Sequence, residues 1–330
     1  MKIRLVHSAP EGSVASGGDL YDSRLCAALR ELGHDARVAP EPEAGAVHLF
    51  DGLHAARWAP LVRTLPGRKV ALVHQPLANV GLDASAEAAF LSGCDALQFV
   101  SVRAETETRA RYPALPPSWI AVPGIDHFTP LASVRERRIV SIGHVIPGKG
   151  PLEALELLAG LPGEWHLDWL GALDVDVAFS RTVLARRDAL GLARRVTFHG
   201  RVDVAPFLAR ASVCLTTSRG ESWGLGLAEA LRAGVPVVGT TPAGVLDFVG
   251  GAGSRTAPGL TSKPTPGLSA PVPSVSRDRP DDPIHDWLTR LLDDAAHPLR
   301  AEAKAAGSLL PSWSECAATT ARALETLCAR

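Results

Sequence analysis

A chain of 330 residues suits two domains of ordinary size, and 46% hydrophobic content is enough for sizeable cores. Lysine plus arginine total 34 against 35 aspartate plus glutamate, so no net field draws the chain to nucleic acid or to an anionic membrane. Five scattered cysteines (Cys26, Cys94, Cys214, Cys316, Cys328) with no CxxC pair argue against a disulfide framework or a zinc site. No run approaches the roughly 20 apolar residues of a transmembrane helix, and the apolar run at Met1–Ser8 is too short for a signal peptide. A cytoplasmic protein is therefore expected.

In chain order, strand-like apolar runs fall at Ile3–Ser8, Ala46–Asp51, Val70–Gln75, Ala96–Ser101 and Trp119–Pro123. Helical patterns lie between them, most clearly Leu20–Leu32 and Val102–Arg111. A second series has strands at Arg138–Gly143, His166–Gly171, Val196–Gly200, Val213–Ser218 and Pro236–Thr240. Its helices are Pro151–Ala159, Val177–Leu190 and Trp223–Ala233. Strands alternating with helices predict parallel sheets covered on both faces, and two such series predict two Rossmann-like, doubly wound α/β domains. The join is read at Pro123–Val134, where periodicity is lost. The Gly-, Pro- and Ser-rich segment 250–283 reads as a long surface loop, because it has too few large apolar residues to form a packed element. Helical periodicity returns at Ile284–Leu292 and Ser312–Leu327. The expected domains are 1–127 with a returning helix at 312–330, and 135–311.

Three motifs sit where such folds hold ligands. Ser16-Gly17-Gly18-Asp19 opens the first helix. Its glycines let amides approach an anion at a helix N-terminus, although a plain strand-to-helix turn would look the same. Gly148-Lys149-Gly150 stands between a strand and a helix. Lys149 either reaches a phosphate or is a solvated turn residue, and the Walker pattern is missing. Glu221-Ser222-Trp223-Gly224-Leu225-Gly226-Leu227-Ala228-Glu229 follows the strand at Val213–Ser218. It places one acid in a loop and the other about two turns into a helix, with amides near Gly224 available to a phosphate. Taken alone, Glu229 reads better as an ordinary exposed helix glutamate. His7 and His74 each end a strand, at the edge where open α/β sheets gather ligands, or are structural. Asp174-Val175-Asp176 is a DxD that we read as a chance match, and no GxGxxG follows either first strand.

In order and spacing these residues resemble the retaining GT-B glycosyltransferases of family 4. The features are Gly17-Gly18, a helix closing on Leu32-Gly33-His34, His74, Val122-Pro123-Gly124-Ile125-Asp126 with Phe128 and Pro130, and Ile142-Gly143. Lys149-Gly150, Phe198-His199-Gly200, the glutamates 221 and 229, and Ser312-Trp313 complete the series. The resemblance implies two domains facing a cleft and transfer of a sugar from a nucleotide-diphosphate-sugar donor to an acceptor. It implies retention of configuration, and no metal or other cofactor. It assigns the donor diphosphate to positions 144 and 149 beside Gly143, the ribose hydroxyls to Glu229 and the donor sugar to Glu221. Amides near Gly224 and Leu225, with Trp223 beside them, contact the donor, and Gly17-Gly18 meets phosphate or acceptor. His74 lines the reaction centre, so His74, Lys149 and Glu221 are the catalytic candidates. The expected partners are thus the donor and a small-molecule or glycan acceptor, with no nucleic acid.

This chain departs from that pattern at His144, where the family carries arginine. A diphosphate would favour the protonated ring, but histidine lacks the bidentate fork, so Lys149, amides and Arg219 would share the task. The segment 250–283 is longer than the family needs. A catalytically silent nucleotide-sugar-binding protein, or another sugar-nucleotide enzyme such as an epimerase on the same fold, are the alternative readings.

Overall fold

The computed structural model describes residues 1–7, 17–77, 83–126, 136–239, 243–250, 283–294 and 296–329. Ser16, Phe128, Pro130, Thr240, nearly all of the segment 250–283 and most of the expected join lie outside them. The chain forms two compact units.

The first unit begins β1 (Lys2–Val6), α1 (Gly17–Glu31), β2 (Asp35–Ala39), β3 (Val47–Asp51), α2 (Ala55–Val62), β4 (Lys69–Val73). It continues α3 (Ala84–Gly93), β5 (Ala96–Phe99), α4 (Val102–Arg111) and β6 (Ser118–Ile120). Its strands are parallel, in the order β2-β1-β3-β4-β5-β6. The inner strands are nearly continuous apolar runs because helices cover both faces. Trp58, Phe50, Phe90 and Phe99 are fully buried between sheet and helices. Side chains set the helix starts: Asp83 accepts from the amides of Ser85 and Ala86, and Ser101 from that of Ala104.

The second unit runs β7 (Arg138–Ile142), α5 (Pro151–Ala159), β8 (His166–Leu170), α6 (Val177–Ala189), β9 (Val196–Phe198), α7 (Ala205–Arg210). Then come β10 (Val213–Thr216), α8 (Leu225–Arg232), β11 (Val237–Gly239), α9 (Gly244–Gly250), α10 (Pro283–Asp293) and α11 (Pro298–Leu309). Its strands are also parallel, in the order β11-β10-β7-β8-β9. Leu155, Leu158, Trp169, Ile284 and Leu288 are among the side chains of its core.

The last helix, α12 (Trp313–Cys328), belongs to the first unit, where it packs on α1. A capping box between Ser312 and Glu315 starts it. Tyr21 of α1 stacks edge-on against Trp313 at 5.7 Å, and its hydroxyl donates to Ala121 O. The Ile125 amide donates to Pro311 O, and a Cβ on Gly124 would lie 2.2 Å from the Trp313 nitrogen.

Several elements differ from expectation. β2 pairs along the full length of β1, although its sequence, Asp-Ala-Arg-Val-Ala, is largely exposed and carries no apolar run; it is an edge strand. Helix α8 starts at Leu225 rather than Trp223, so Glu229 lies little more than one turn into it.

Candidate functional site

In the second unit, three motifs remote in sequence form one edge. Gly150 has φ +66°, and a Cβ there would lie 2.1 Å from Thr217 O, so glycine is needed both for the turn and for the close approach. Thr217 Oγ1 donates to Gly150 O at 2.8 Å, and the Arg219 amide donates to Gly148 O at 2.9 Å. The 148–150 turn is thus bonded to the segment leading from β10 to the glutamate motif. The outcome is an ion pair: Lys149 Nζ lies 2.5 Å from Glu221 Oε1, both side chains being partly buried. Lys149 is no free turn lysine. Its stem passes over Gly143, where a Cβ would lie 3.1 Å from the lysine Cδ, so the absent side chain at 143 leaves the lysine its path.

Gly224, with φ +91°, precedes α8, and its carbonyl accepts from the Leu227 and Ala228 amides. The amides of Leu225 and Gly226 precede the first of these bonds and form a site suited to an anion. Gly226 has a different reason for being glycine: a Cβ there would stand 2.7 Å from Ile142 Cγ2, so α8 packs directly on the end of β7. Glu229 is half-buried, and its charge helps burial push the Cys214 thiol up to about 12. The Trp223 indole is buried and stacks edge-on with Phe248 at 5.5 Å, so any part it has in ligand contact falls to its backbone. Arg219 is exposed.

His144 is half-buried, and its Nδ1 accepts the Ala172 amide at 3.3 Å. An imidazole accepting through Nδ1 carries its proton on Nε2 and is neutral. Without a diphosphate present, this hydrogen bond favours the neutral ring, with Nε2 rather than Nδ1 left to act as a donor. The DxD has local duties as well. Asp176 caps α6 by accepting from the Phe179 amide, and Asp174 pairs with Arg201.

The first unit holds a cluster whose members the sequence scatters. His7, Asp51 and His74 follow or end the adjacent strands β1, β3 and β4, and α1 adds Asp19 and Asp22. His7 Nδ1 lies 2.9 Å from both Asp22 Oδ2 and Asp51 Oδ2, and its Nε2 lies 2.8 Å from Asp19 Oδ1. Hydrogen bonds to Asp22 and Asp51 outweigh burial and raise the His7 pKa to about 10, so it is an imidazolium at neutral pH. His74 Nε2 lies 3.5 Å from Asp22 Oδ1 and 3.8 Å from Asp51 Oδ1. Burial alone would depress its pKa, but the two carboxylates outweigh burial and the value is raised. His54 Nε2 stands 3.9 Å from Asp51 Oδ2.

Sequence reasoning singled out His7 and His74 but gave Asp22, Asp51 and His54 no role. One signal was present. Asp22 interrupts the buried stripe of α1, between Tyr21 and Leu25, where a carboxylate needs a partner. Gly17 and Gly18 form the first residues of α1, immediately before Asp19.

Among the described residues, no helix is long and apolar enough to cross a membrane. Two solved structures match nearly the whole chain in fold. They are sucrose-phosphate synthase from Thermosynechococcus elongatus (TM-score 0.78, 18% identity, 99% of each chain) and Anabaena HepE in complex with UDP-glucose (TM-score 0.76, 14% identity, 99% of this chain and 100% of that one). The two parallel-sheet α/β domains are those of the GT-B fold. A D-inositol 3-phosphate glycosyltransferase of Mycobacterium tuberculosis is 32% identical over 125 residues, which span 36% of this chain and 26% of that protein. This chain thus matches about a quarter of the length of that curated relative. Residues 134–263 match the model for glycosyl transferases group 1, and this stretch contains His144, Lys149, Glu221 and Glu229. The family match thus falls on the second unit.

Proposed function

We propose that this chain is a glycosyltransferase that moves a sugar from a nucleotide-diphosphate-sugar donor, and that the second unit binds the donor. The observation that carries this reading is the Lys149–Glu221 pair beside the N-terminus of α8, within the matched domain. A fixed cation and a set of helix amides suit a diphosphate leaving group, where negative charge grows as the glycosidic bond breaks. Lys149 exchanges Glu221 for the diphosphate when the donor arrives, which leaves the Glu221 carboxylate for the sugar hydroxyls. Glu229 accepts from the ribose hydroxyls, Gly143 and the amides of Gly224 and Leu225 border the phosphates, and His144 donates through Nε2. Arg219 is an exposed cation in the same loop.

Transfer with retention of configuration, without a metal ion bridging the diphosphate, belongs to this proposal, in keeping with the family 4 resemblance. So does a cytoplasmic setting, supported by cysteines that are all free thiols. The first unit takes the acceptor, with the Gly17-Gly18 turn as its contact. HepE was solved with UDP-glucose, so a uridine donor is the first to try.

The test is a thermal-shift screen across UDP-, GDP-, ADP- and TDP-sugars, because a ligand bound to the native state raises its melting temperature. Calorimetry on the best donor follows, with wild type and Glu229→Ala. Loss of a charge-assisted hydrogen bond contributing about 1.5–3 kcal/mol should weaken affinity tenfold or more. No shift with any donor, or unchanged affinity in the variant, would remove the proposed site.

A further inference from the structure

Where β7 and β8 run out, two side chains interrupt the backbone ladder between them. The register sets Ile142 beside Leu170, and so Gly143 beside Gly171. In a parallel ladder a residue bonds, through its amide and its carbonyl, to the two residues that flank its partner. The Gly143 amide keeps its bond, to Leu170 O at 2.8 Å, and two residues on the Val145 amide donates to Ala172 O at 2.8 Å. The ladder bond between these two, from the Ala172 amide to Gly143 O, is replaced. The Trp169 indole Nε1 donates to Gly143 O at 2.7 Å, and the Ala172 amide donates to His144 Nδ1 at 3.3 Å.

The surroundings hold this exchange in place. Trp169 is only 2% exposed, and the Phe198 ring packs against it with centroids 5.9 Å apart. A buried indole N–H needs an acceptor, and Gly143 O supplies it. Gly171 allows the close approach: a Cβ there would lie 2.0 Å from Gly143 O and 2.8 Å from the His144 nitrogen. The Gly143–His144 peptide therefore rests on bare backbone, with the indole on its carbonyl.

The exchange matters most for His144. A backbone amide has a single hydrogen to give. If Gly143 O took the Ala172 amide, the imidazole would lose the donor that makes Nδ1 an acceptor, and either tautomer could form. An arginine at 144 would have no acceptor nitrogen to offer that amide. The arrangement thus suits the histidine by which this chain departs from the pattern it resembles.

We propose that Trp169 is a positioning residue of the donor site, a role that rests on the second unit's binding the donor. By occupying the Gly143 carbonyl, it leaves the Ala172 amide to hold His144 Nδ1, so that His144 meets the diphosphate as an Nε2–H donor. Trp169 is buried in the core and acts through the imidazole rather than by contact with the donor.

Trp169→Phe keeps an aromatic ring and removes the N–H. Side-chain nitrogen NMR spectra of the nucleotide-free chain, with the His144 signal assigned from His144→Ala, read the tautomer. Wild type should be predominantly Nε2–H and Trp169→Phe a mixture; an unchanged tautomer in the variant overturns the proposal. Should the variant misfold, the wild type decides: a scalar coupling between Ala172 N and His144 Nδ1 across the hydrogen bond supports the arrangement, and its absence overturns it. Calorimetry with inorganic pyrophosphate reads the consequence at the site. Trp169→Phe and His144→Ala should each weaken binding about fivefold or more, the loss of roughly one hydrogen bond. The double variant should lose no more than either alone, because both act through one imidazole, and additive losses would overturn the coupling. If wild type binds no pyrophosphate, the donor reading falls, and the tautomer comparison still decides whether Trp169 sets His144.

Discussion

At the scale of single residues, the second unit pairs a cation with an anion where the donor reading needs the cation. Lys149→Ala should reduce turnover by at least 100-fold, since a fixed charge on the leaving group acts mainly in the transition state. The ion pair it breaks is partly exposed and contributes only about 1 kcal/mol or less to stability. The melting temperature should therefore move little, and turnover near wild type would make the lysine a positioning partner of Glu221 alone. His144 leads to a different expectation. Because Nδ1 accepts the Ala172 amide, the ring serves as a neutral donor, and protonating it would sacrifice that bond. The alkaline limbs of the pH–rate profiles of wild type and His144→Arg should superimpose. A limb that flattens in the variant would show that a protonated histidine does the work of the family's arginine.

At the scale of elements, α8 is held at contact distance from β7. Gly226→Ala would press a Cβ into Ile142 and shift the helix that carries Glu229. Overpacking of this kind costs about 1–3 kcal/mol. The variant should lose both stability and donor affinity, and Ile142→Ala in the same chain should recover part of each. If the double variant shows no recovery, the contact is not the reason for the glycine. The neighbouring strands offer a pH test. Arg138 grips Asp168 through two nitrogens at 2.6 and 2.7 Å, and His199 Nε2 lies 2.7 Å from Asp168 Oδ1. Burial alone would raise the Asp168 pKa, but these partners outweigh it and the folded value is lowered. The unfolded chain then takes up this proton at higher pH than the folded one. The stabilisation is present above the unfolded value of about 3.9 and is lost as pH falls through the folded value. Asp168→Asn should lower the melting temperature at neutral pH and lessen its dependence on pH below about 4. An unchanged acid slope would assign that sensitivity to other carboxylates.

These elements also show what a sequence discloses. The glutamate motif and the Gly-Lys-Gly turn are contiguous strings, and the helices at 102–111 and 151–159 are marked at their starts, the first by the Ser101 cap and the second by Pro151 at its first position. Helix α3, Ala-Ser-Ala-Glu-Ala-Ala-Phe-Leu-Ser-Gly, has no distinct polar face, and β2 has too few apolar residues to look like a strand; packing decides both. The acidic cluster is tertiary in origin. Its members end or follow three strands and lie on one helix, and sheet order rather than spacing brings them together.

At the scale of the whole molecule, the described residues of the first unit come from two stretches of chain, within Met1–Asp126 and Pro311–Arg330, on either side of the second unit in sequence. Cys316, Ala317 and Leu324 of α12 are buried in the first unit, and the Trp313 ring stacks on Tyr21. Removing residues 311–330 should therefore destabilise the first unit while leaving the core of the second intact. Limited proteolysis should cut within 1–126 first, and equal resistance to wild type would contradict this. An N-terminal unit usually folds before the rest of the chain emerges, but here the sheet of the first unit is synthesised before the α12 that packs on it, while the interior unit is complete by Leu310. A nascent chain arrested before Pro311 would then expose an unfinished surface on α1, and it is this stretch, rather than the donor domain, that a chaperone would have most reason to hold.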